Sequence, residues 1–258
     1  MELAEIIGLL IPLTYVVFWL LEKKLAVRTF PQRKAWSWLG FGFLFLIGFI
    51  ANVVPVILNE DWLKAHRLLD GSGLGIFGGI VVGWLVFSFV ASLWHRLEHA
   101  SPFIWRHFHQ LHHSPQRVDI PGSVFFHPTD MIANATLSTL ITTLVLGLDP
   151  LAAAGVGYIG ALAGMFQHFN IRTPQWLHWF IQRPEAHCEH HRRGVHAHNY
   201  SDFPLWDRLF GSFLNPASFD GEVGFDNPAD TKVGAMFAFQ DVNAPLYGAD
   251  SRGANASH

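Results

Sequence analysis

Apolar residues fill three stretches of the first hundred positions, residues 3–21, 36–58 and 74–94, almost uninterrupted by charge. Each is near the roughly 20 residues that a helix needs to cross a bilayer. The first opens on Glu2 and Glu5 and closes on Trp19, Leu20 and Leu21 before Glu22, Lys23 and Lys24. A secretory signal has a basic opening and a small-residue exit, so this stretch reads as a retained transmembrane helix. Two shorter runs, 131–146 and 151–167, meet at Gly147-Leu148-Asp149-Pro150 and predict a tight helical hairpin, spanning or deeply re-entrant. The pattern predicts an all-α integral membrane bundle of about four to five membrane helices.

Loop charge orients it. Lys23, Lys24, Arg28, Arg33 and Lys34 follow the first run against the single acid Glu22, whereas Lys64 and Arg67 share the next loop with Glu60, Asp61 and Asp70. The positive-inside rule places the first loop in the cytoplasm. The third helix then delivers His95 to that side, and the hairpin returns the chain there near His168. A cytoplasmic helical cap carrying the histidine motifs is the expected result. The division expected is membrane helices and loops over 1–73, a catalytic domain over 74–215 and a cytoplasmic tail over 216–258. The tail, rich in Gly, Asp, Asn and Ala from Asn215 onward, reads as loosely structured.

Composition sharpens this picture. Charged residues make up 14% of the chain, against roughly 25% in a soluble domain. A net charge of −3 without a basic run excludes a nucleic-acid footprint. The single cysteine, Cys188, excludes a disulfide framework and a four-cysteine iron–sulfur cluster. The sixteen histidines are the anomaly, because they crowd into two parts of the chain and only His258 lies at an end.

Three clusters stand out: His95-Arg-Leu-Glu-His99, His109-Gln-Leu-His112-His113 and His187-Cys-Glu-His190-His191. Helical residues three and four apart share a face, so each cluster aims its imidazoles in a common direction. Three such segments can surround one or two metal ions, and neutral imidazole suits Fe, Zn, Cu and Ni. A lone pair at this spacing is ordinary surface or core decoration; the HxxHH pattern twice, with HxxxH beside a membrane span, points to metal.

The flanking residues extend the pattern. Trp94 to His99, Phe108 to Ser114, Phe126-His127-Pro128, Gln167-His168-Phe169-Asn170, the third cluster, Asn199-Tyr200 and Leu205 to Gly211 follow in order. Together, over roughly residues 75–215, this chain resembles the fatty acid hydroxylase/sterol desaturase superfamily of membrane histidine-motif di-iron oxygenases. The resemblance implies two Fe ions, with zinc as a replacement in a purified sample, O2 as co-substrate, and hydroxylation or desaturation of a lipid C–H bond. It implies as ligands His95, His99, His109, His112, His113, His187, His190 and His191, together with His168 and His127. Some members carry a further histidine four positions after the equivalent of His168; here that position is Arg172.

Other residues have weaker claims. Glu98 and Asp119 could orient ligating imidazoles through their free N–H, or be ordinary surface carboxylates. Asp207 and Arg208 read as structural, Cys188 as packing, and His196 and His198 as lining of the cytoplasmic mouth. His66, His107, His178 and His258 carry no assignment. Gly75, Gly78, Gly79, Gly83, Gly155, Gly157, Gly160 and Gly164 read mainly as close helix packing, the alternative being room for an acyl chain or ring system. Without a Gly-rich dinucleotide fingerprint, electrons must come from a separate reductase, ferredoxin or cytochrome b5-like donor, for which Arg183, Arg192 and Arg193 are a candidate dock. A metal transporter would need ligands inside the bilayer, and a zinc hydrolase of the HExxH type lacks its motif. A non-catalytic zinc-binding scaffold stays open.

Overall fold

In a computed structural model of the chain, residues 3–195, 197–226 and 229–243 are described, and they are all-helical apart from turns and a lone antiparallel bridge between Arg192 and Val223. Among them, four helical segments are long and apolar enough to cross a membrane: Leu3–Leu25, Trp36–Ile57, Gly71–Ala100 and Pro150–His168. We label α1 Leu3–Leu25, α2 Trp36–Ile57, α3 Gly75–Ala100, α4 Pro128–Thr139, α5 Pro150–His168 and α6 Pro184–His190. The chain is a multi-pass membrane protein. The expected hairpin is α4, prolonged by π-helical turns at Leu140–Val145, followed by α5.

Local chemistry sets the boundaries. The Asp149 side chain accepts a hydrogen bond from Leu151 N, with Pro150 at the first helical position, so α5 starts where its apolar run starts. In the turn before it, Gly147 has φ of 55°, and an added Cβ would strike the Leu69 carbonyl oxygen and the Arg67 side chain. Only glycine meets both demands.

The helices alternate in direction. At one end, Leu68 N and Leu69 N donate to Leu144 O and Val145 O, tying segment 58–74 to the hairpin turn. At the other end, the buried Glu22 carboxylate accepts from Ile120 N and Asn170 N, and Val27 N donates to Asn170 O. Segments 26–35, 101–127 and 169–243 therefore gather at one end of the bundle, the end that receives every histidine cluster. Within the bundle α5 packs between α1 and α3, while α2 packs on α4 and on the Ile120–Val124 turn.

The glycines divide between two uses. Gly79 and Gly83 take Ala152 and Val156 into close contact, and Gly155 takes Ile80. Gly157 and Gly164 have nothing within 4 Å of an added Cβ and line a cavity instead.

The loosely structured tail expected after Asn215 is corrected as far as Asn243. Phe219, Val223, Phe225 and Met236 are buried, because segment 223–225 runs between the two HxxHH clusters. Gly224 N donates to His191 O, and Phe225 N donates to Ser114 O. Gly224 has φ of 76°, and a Cβ there would strike the Pro115 carbonyl. Gly224→Ala is therefore expected to destabilise the protein by more than about 1 kcal/mol, read as a lower unfolding temperature in detergent.

Candidate metal centre

The first, second and third clusters arrive from α3, from the helical segment Gln110–His113 with the π-helical turn Trp105–His109 before it, and from α6. Their imidazoles sort into two groups. His95, His99, His109, His113 and His190 form one, and His112, His168, His187 and His191 form the other; within each, the donor atoms all lie within 4.8 Å of one another. Adjacent helical residues point about 100° apart, so each His-His pair is split. His112 and His191 go to one group and His113 and His190 to the other. The i,i+4 members stay together, His109 with His113 and His187 with His191.

The Nε2 atoms converge. His95 and His99 bring theirs to 3.2 Å, His113 and His190 to 3.1 Å, His112 and His168 to 3.3 Å, His168 and His187 to 2.9 Å, and His187 and His191 to 3.0 Å. Nitrogens about 2.1 Å from a shared metal are separated by roughly 3.0 Å at right angles and 3.4 Å at tetrahedral angles, which matches this range. Nδ1 of His95 lies 2.7 Å from Tyr200 O, and Nδ1 of His190 lies 2.7 Å from His198 O. A carbonyl only accepts, so each of these Nδ1 atoms carries the proton and leaves Nε2 as a bare lone pair. Lone pairs aimed at their neighbours repel unless a cation lies between them. His109 Nε2 is likewise buried with no hydrogen-bond partner. The residues present fit a metal in each group.

Burial also fixes the protonation state. It pushes the His109 pKa down to about 3, and it holds His112, His113, His187 and His191 well below the ordinary imidazole value, neighbouring imidazoles adding to the effect. Neutral imidazole is the ligating form.

A second layer aims the rings. Asp130 Oδ2 lies 3.2 Å and Glu98 Oε2 3.4 Å from His109 Nδ1, and Asn134 holds Asp130 in turn. The Gln182 side-chain nitrogen sits 3.2 Å from His187 Nδ1 and donates to Gln167 and to Asn199 O. Asp207 accepts from Arg96 and from the backbone N of Tyr200 and Ser201, fixing the stretch whose carbonyl meets His95. Trp206 Nε1 donates to Ser88, and Arg208 stacks on Trp179 and Phe213. Asp207, Arg208 and Trp206 thus pin this segment to the bundle.

The other candidates lie outside these two groups. His127 belongs to neither group, because its Nδ1 accepts from Thr129 N and caps α4. Asp119 accepts from Trp36, Arg117 and Gly122 N and bonds no histidine among the described contacts. Arg183 cannot dock a partner: it is fully enclosed and bonded to Thr173, Asn215 and Pro216. Arg192 and Arg193 are ion-paired with Glu189, and with Glu222 and Asp226. Cys188 packs among Val118, Phe219 and Val223, and burial pushes its thiol up to about 12. Arg172 and His66 are exposed, and His107 and His178 are half-buried. His196 and His258 lie outside the described residues, while His198 contributes its carbonyl to His190. Gln182 and Asp130 carried no assignment from the sequence, Asp130 meeting His109 across 21 positions, and Tyr200, part of the Asn199-Tyr200 pattern, acts through its backbone carbonyl.

A cavity of about 920 Å³ runs from this centre into the bundle, lined at the metal end by His95, His109, His112, His168 and His187.

A family profile described as fatty acid hydroxylase matches residues 80–212. The chain is 30% identical over 142 residues to an ornithine lipid hydroxylase of Rhizobium tropici, covering 53% of this chain and 42% of that protein. It is 31% identical over 146 residues to lathosterol oxidase of Rattus norvegicus, covering 55% and 47%. A cholesterol 25-hydroxylase-like protein of Danio rerio is 22% identical over 185 residues, covering 69% and 71%. The chain spans about half the length of the first two of these relatives. No solved structure matches it.

Two predictions follow from the geometry. Glu98→Gln with Asp130→Asn should weaken metal binding by about 10–100-fold, measured by chelator competition. For pH, the folded imidazoles have pKa values below the unfolded value of about 6.5, so the unfolded chain takes up protons first on acidification. Their stabilising contribution is complete above about pH 6.5 and declines as pH falls toward the folded values. Melting temperature and bound metal should both fall between about pH 7 and pH 5; a flat profile would contradict neutral burial.

Proposed function

The chain belongs to the fatty acid hydroxylase family, and we propose that it is a membrane di-iron oxygenase that uses O2 and externally supplied electrons to hydroxylate or desaturate a lipid C–H bond. The observation that carries this reading is the division of nine histidines into two groups that share both His-His pairs at the end of a cavity. One iron would be held by His95, His99, His109, His113 and His190, and the other by His112, His168, His187 and His191. When bound, the pair supplies the redox chemistry that activates O2 against a C–H bond too inert for acid–base attack.

The chain's own residues do the rest. Glu98 and Asp130 hold a proton at His109 Nδ1 and keep its Nε2 toward the centre. The Tyr200 and His198 carbonyls do the same for His95 and His190. Trp105, Phe126 and Tyr200 wall the centre: Trp105 is fully buried, Phe126 stacks on His112 with centroids 4.1 Å apart, and Tyr200 meets His99 edge-on. These walls exclude water while the substrate is positioned by the cavity.

The basic loop after α1 lies at the histidine end, so the positive-inside rule assigns that end to the cytoplasm, where a separate reductase, ferredoxin or cytochrome b5-like donor would reach it. Residues 74–215 would form the catalytic domain.

Elemental analysis of the protein purified without chelators tests the centre. About two irons per chain are expected. His109→Ala with His190→Ala should remove one, and His168→Ala with His187→Ala the other. Label from ¹⁸O2 in an extracted lipid alcohol, or O2-dependent formation of an alkene, completes the assignment. Zinc alone, with no O2 uptake after iron reconstitution, would support the scaffold reading instead.

A further inference from the structure

Resting on the oxygenase reading above, we propose that the substrate is a long-chain acyl lipid bound lengthwise, its tail toward the histidines and its polar headgroup at the opposite membrane face. The cavity follows α5 from Asp149 and Pro150 at that far face to His168 at the metal end. The helix has 19 residues, so the path is about 27 Å long at 1.5 Å per residue. A cavity of about 920 Å³ extended over about 27 Å has the length and the room for an acyl chain.

The walls suit a hydrocarbon. On α5 the lining residues Ala153, Ala154, Gly157, Gly160, Ala161 and Gly164 are all small, and they keep the bore open along the helix. The wall on α4 and its π-helical extension is more polar, carrying Asn134, Ser138, Thr139, Thr142 and Thr143. The Thr139 and Thr142 hydroxyls turn back onto their own helix, donating to Ala135 O and Ser138 O, and Asn134 donates to Asp130. Gly8 and Ala51, exposed on α1 and α2, line the far half, where the bore meets lipid sideways and a chain can enter.

The far mouth differs in chemistry. Glu60, Lys64, Arg67 and Asp70 all line it. They form two pairs, Lys64–Glu60 at 3.1 Å and Arg67–Asp70 at 2.7 Å, with side chains roughly half exposed. Solvated pairs of this kind are held weakly and can exchange partners with a headgroup that carries both an anion and a cation. A zwitterionic headgroup at this mouth leaves only its tail to reach the metals, so attack falls on the distal part of the chain.

The test uses the full-length, metal-loaded protein in phosphatidylcholine nanodiscs. Two long-chain phosphatidylcholine probes are compared, one with a photoreactive diazirine at the chain terminus and one with it beside the glycerol. The terminal probe should mark peptides holding Ser123 to Phe126 or Met165 to His168. The glycerol-proximal probe should mark those holding Glu60 to Asp70 or Gly147 to Pro150. Gly157→Phe, placed on the cavity wall where an added Cβ has nothing within 4 Å, should reduce terminal-probe labelling at the metal end about tenfold with bound metal unchanged. Reversed order, identical labelling by both probes, or metal-end labelling unaffected by Gly157→Phe would overturn the proposal. Labelling requires no turnover. Ordered labels without O2 chemistry would therefore sink only the oxygenase reading, and lipid oxidation with disordered labels would sink only this one.

Discussion

Nine imidazoles crowded at one end of a membrane bundle cannot all be cations, and as neutral rings they bring lone pairs within 2.9–3.3 Å of one another. That repulsion is the constraint on which the rest of the structure depends. Left alone, the rings would rotate apart or take up water. Three of them are gripped from behind by acceptors: His95 and His190 by backbone carbonyls, and His109 by two carboxylates. The grip sets the tautomer, the tautomer sets which nitrogen faces inward, and the inward nitrogens define where a cation fits.

Those grips come from segments that would otherwise wander. The stretch through His198 and Tyr200 has no helix of its own, yet it must present two carbonyls with little freedom. Asp207 supplies the order by accepting from Arg96 and from two backbone amides. Glu22 performs a related task at the end of α1, accepting from Ile120 N and Asn170 N. A buried carboxylate surrounded by amide donors is favourable only if all its partners are in place. Such contacts therefore couple the membrane helices to the polar end instead of letting each fold separately.

Much of this was legible in the sequence. Apolar run length gave the helices, and the spacing of three clusters gave the metal hypothesis, because both periodicities are local. The split of each His-His pair follows from helical geometry, but which ring joins which group depends on how three segments meet. The second layer was mostly illegible for a related reason. A backbone carbonyl such as that of Tyr200 has no sequence signature, and Asp130 meets His109 across 21 positions. The tail misled because its Gly-rich composition looks like disorder, whereas Gly224 is needed where two backbones approach too closely for a Cβ. Arg183 misled in the opposite way. A charged residue beside a motif suggests a surface, yet its guanidinium is spent on Thr173, Asn215 and Pro216.

The direction of the bundle then separates two tasks that interfere in a compact site. In the proposed arrangement electrons arrive at the histidine end, which is packed shut by Trp105, Phe225 and the tail segment, while the lipid chain arrives through the bilayer from the far end. A soluble enzyme acting on the same chain would have to open its metal end to admit it, and would admit water as well. Here the bore is already lined by apolar walls in contact with lipid, so filling it transfers the chain between two apolar media. The hydrophobic effect contributes little to such a transfer. Selectivity must then come from bore length, bore width and the charged mouth, and the small residues along α5 set the width.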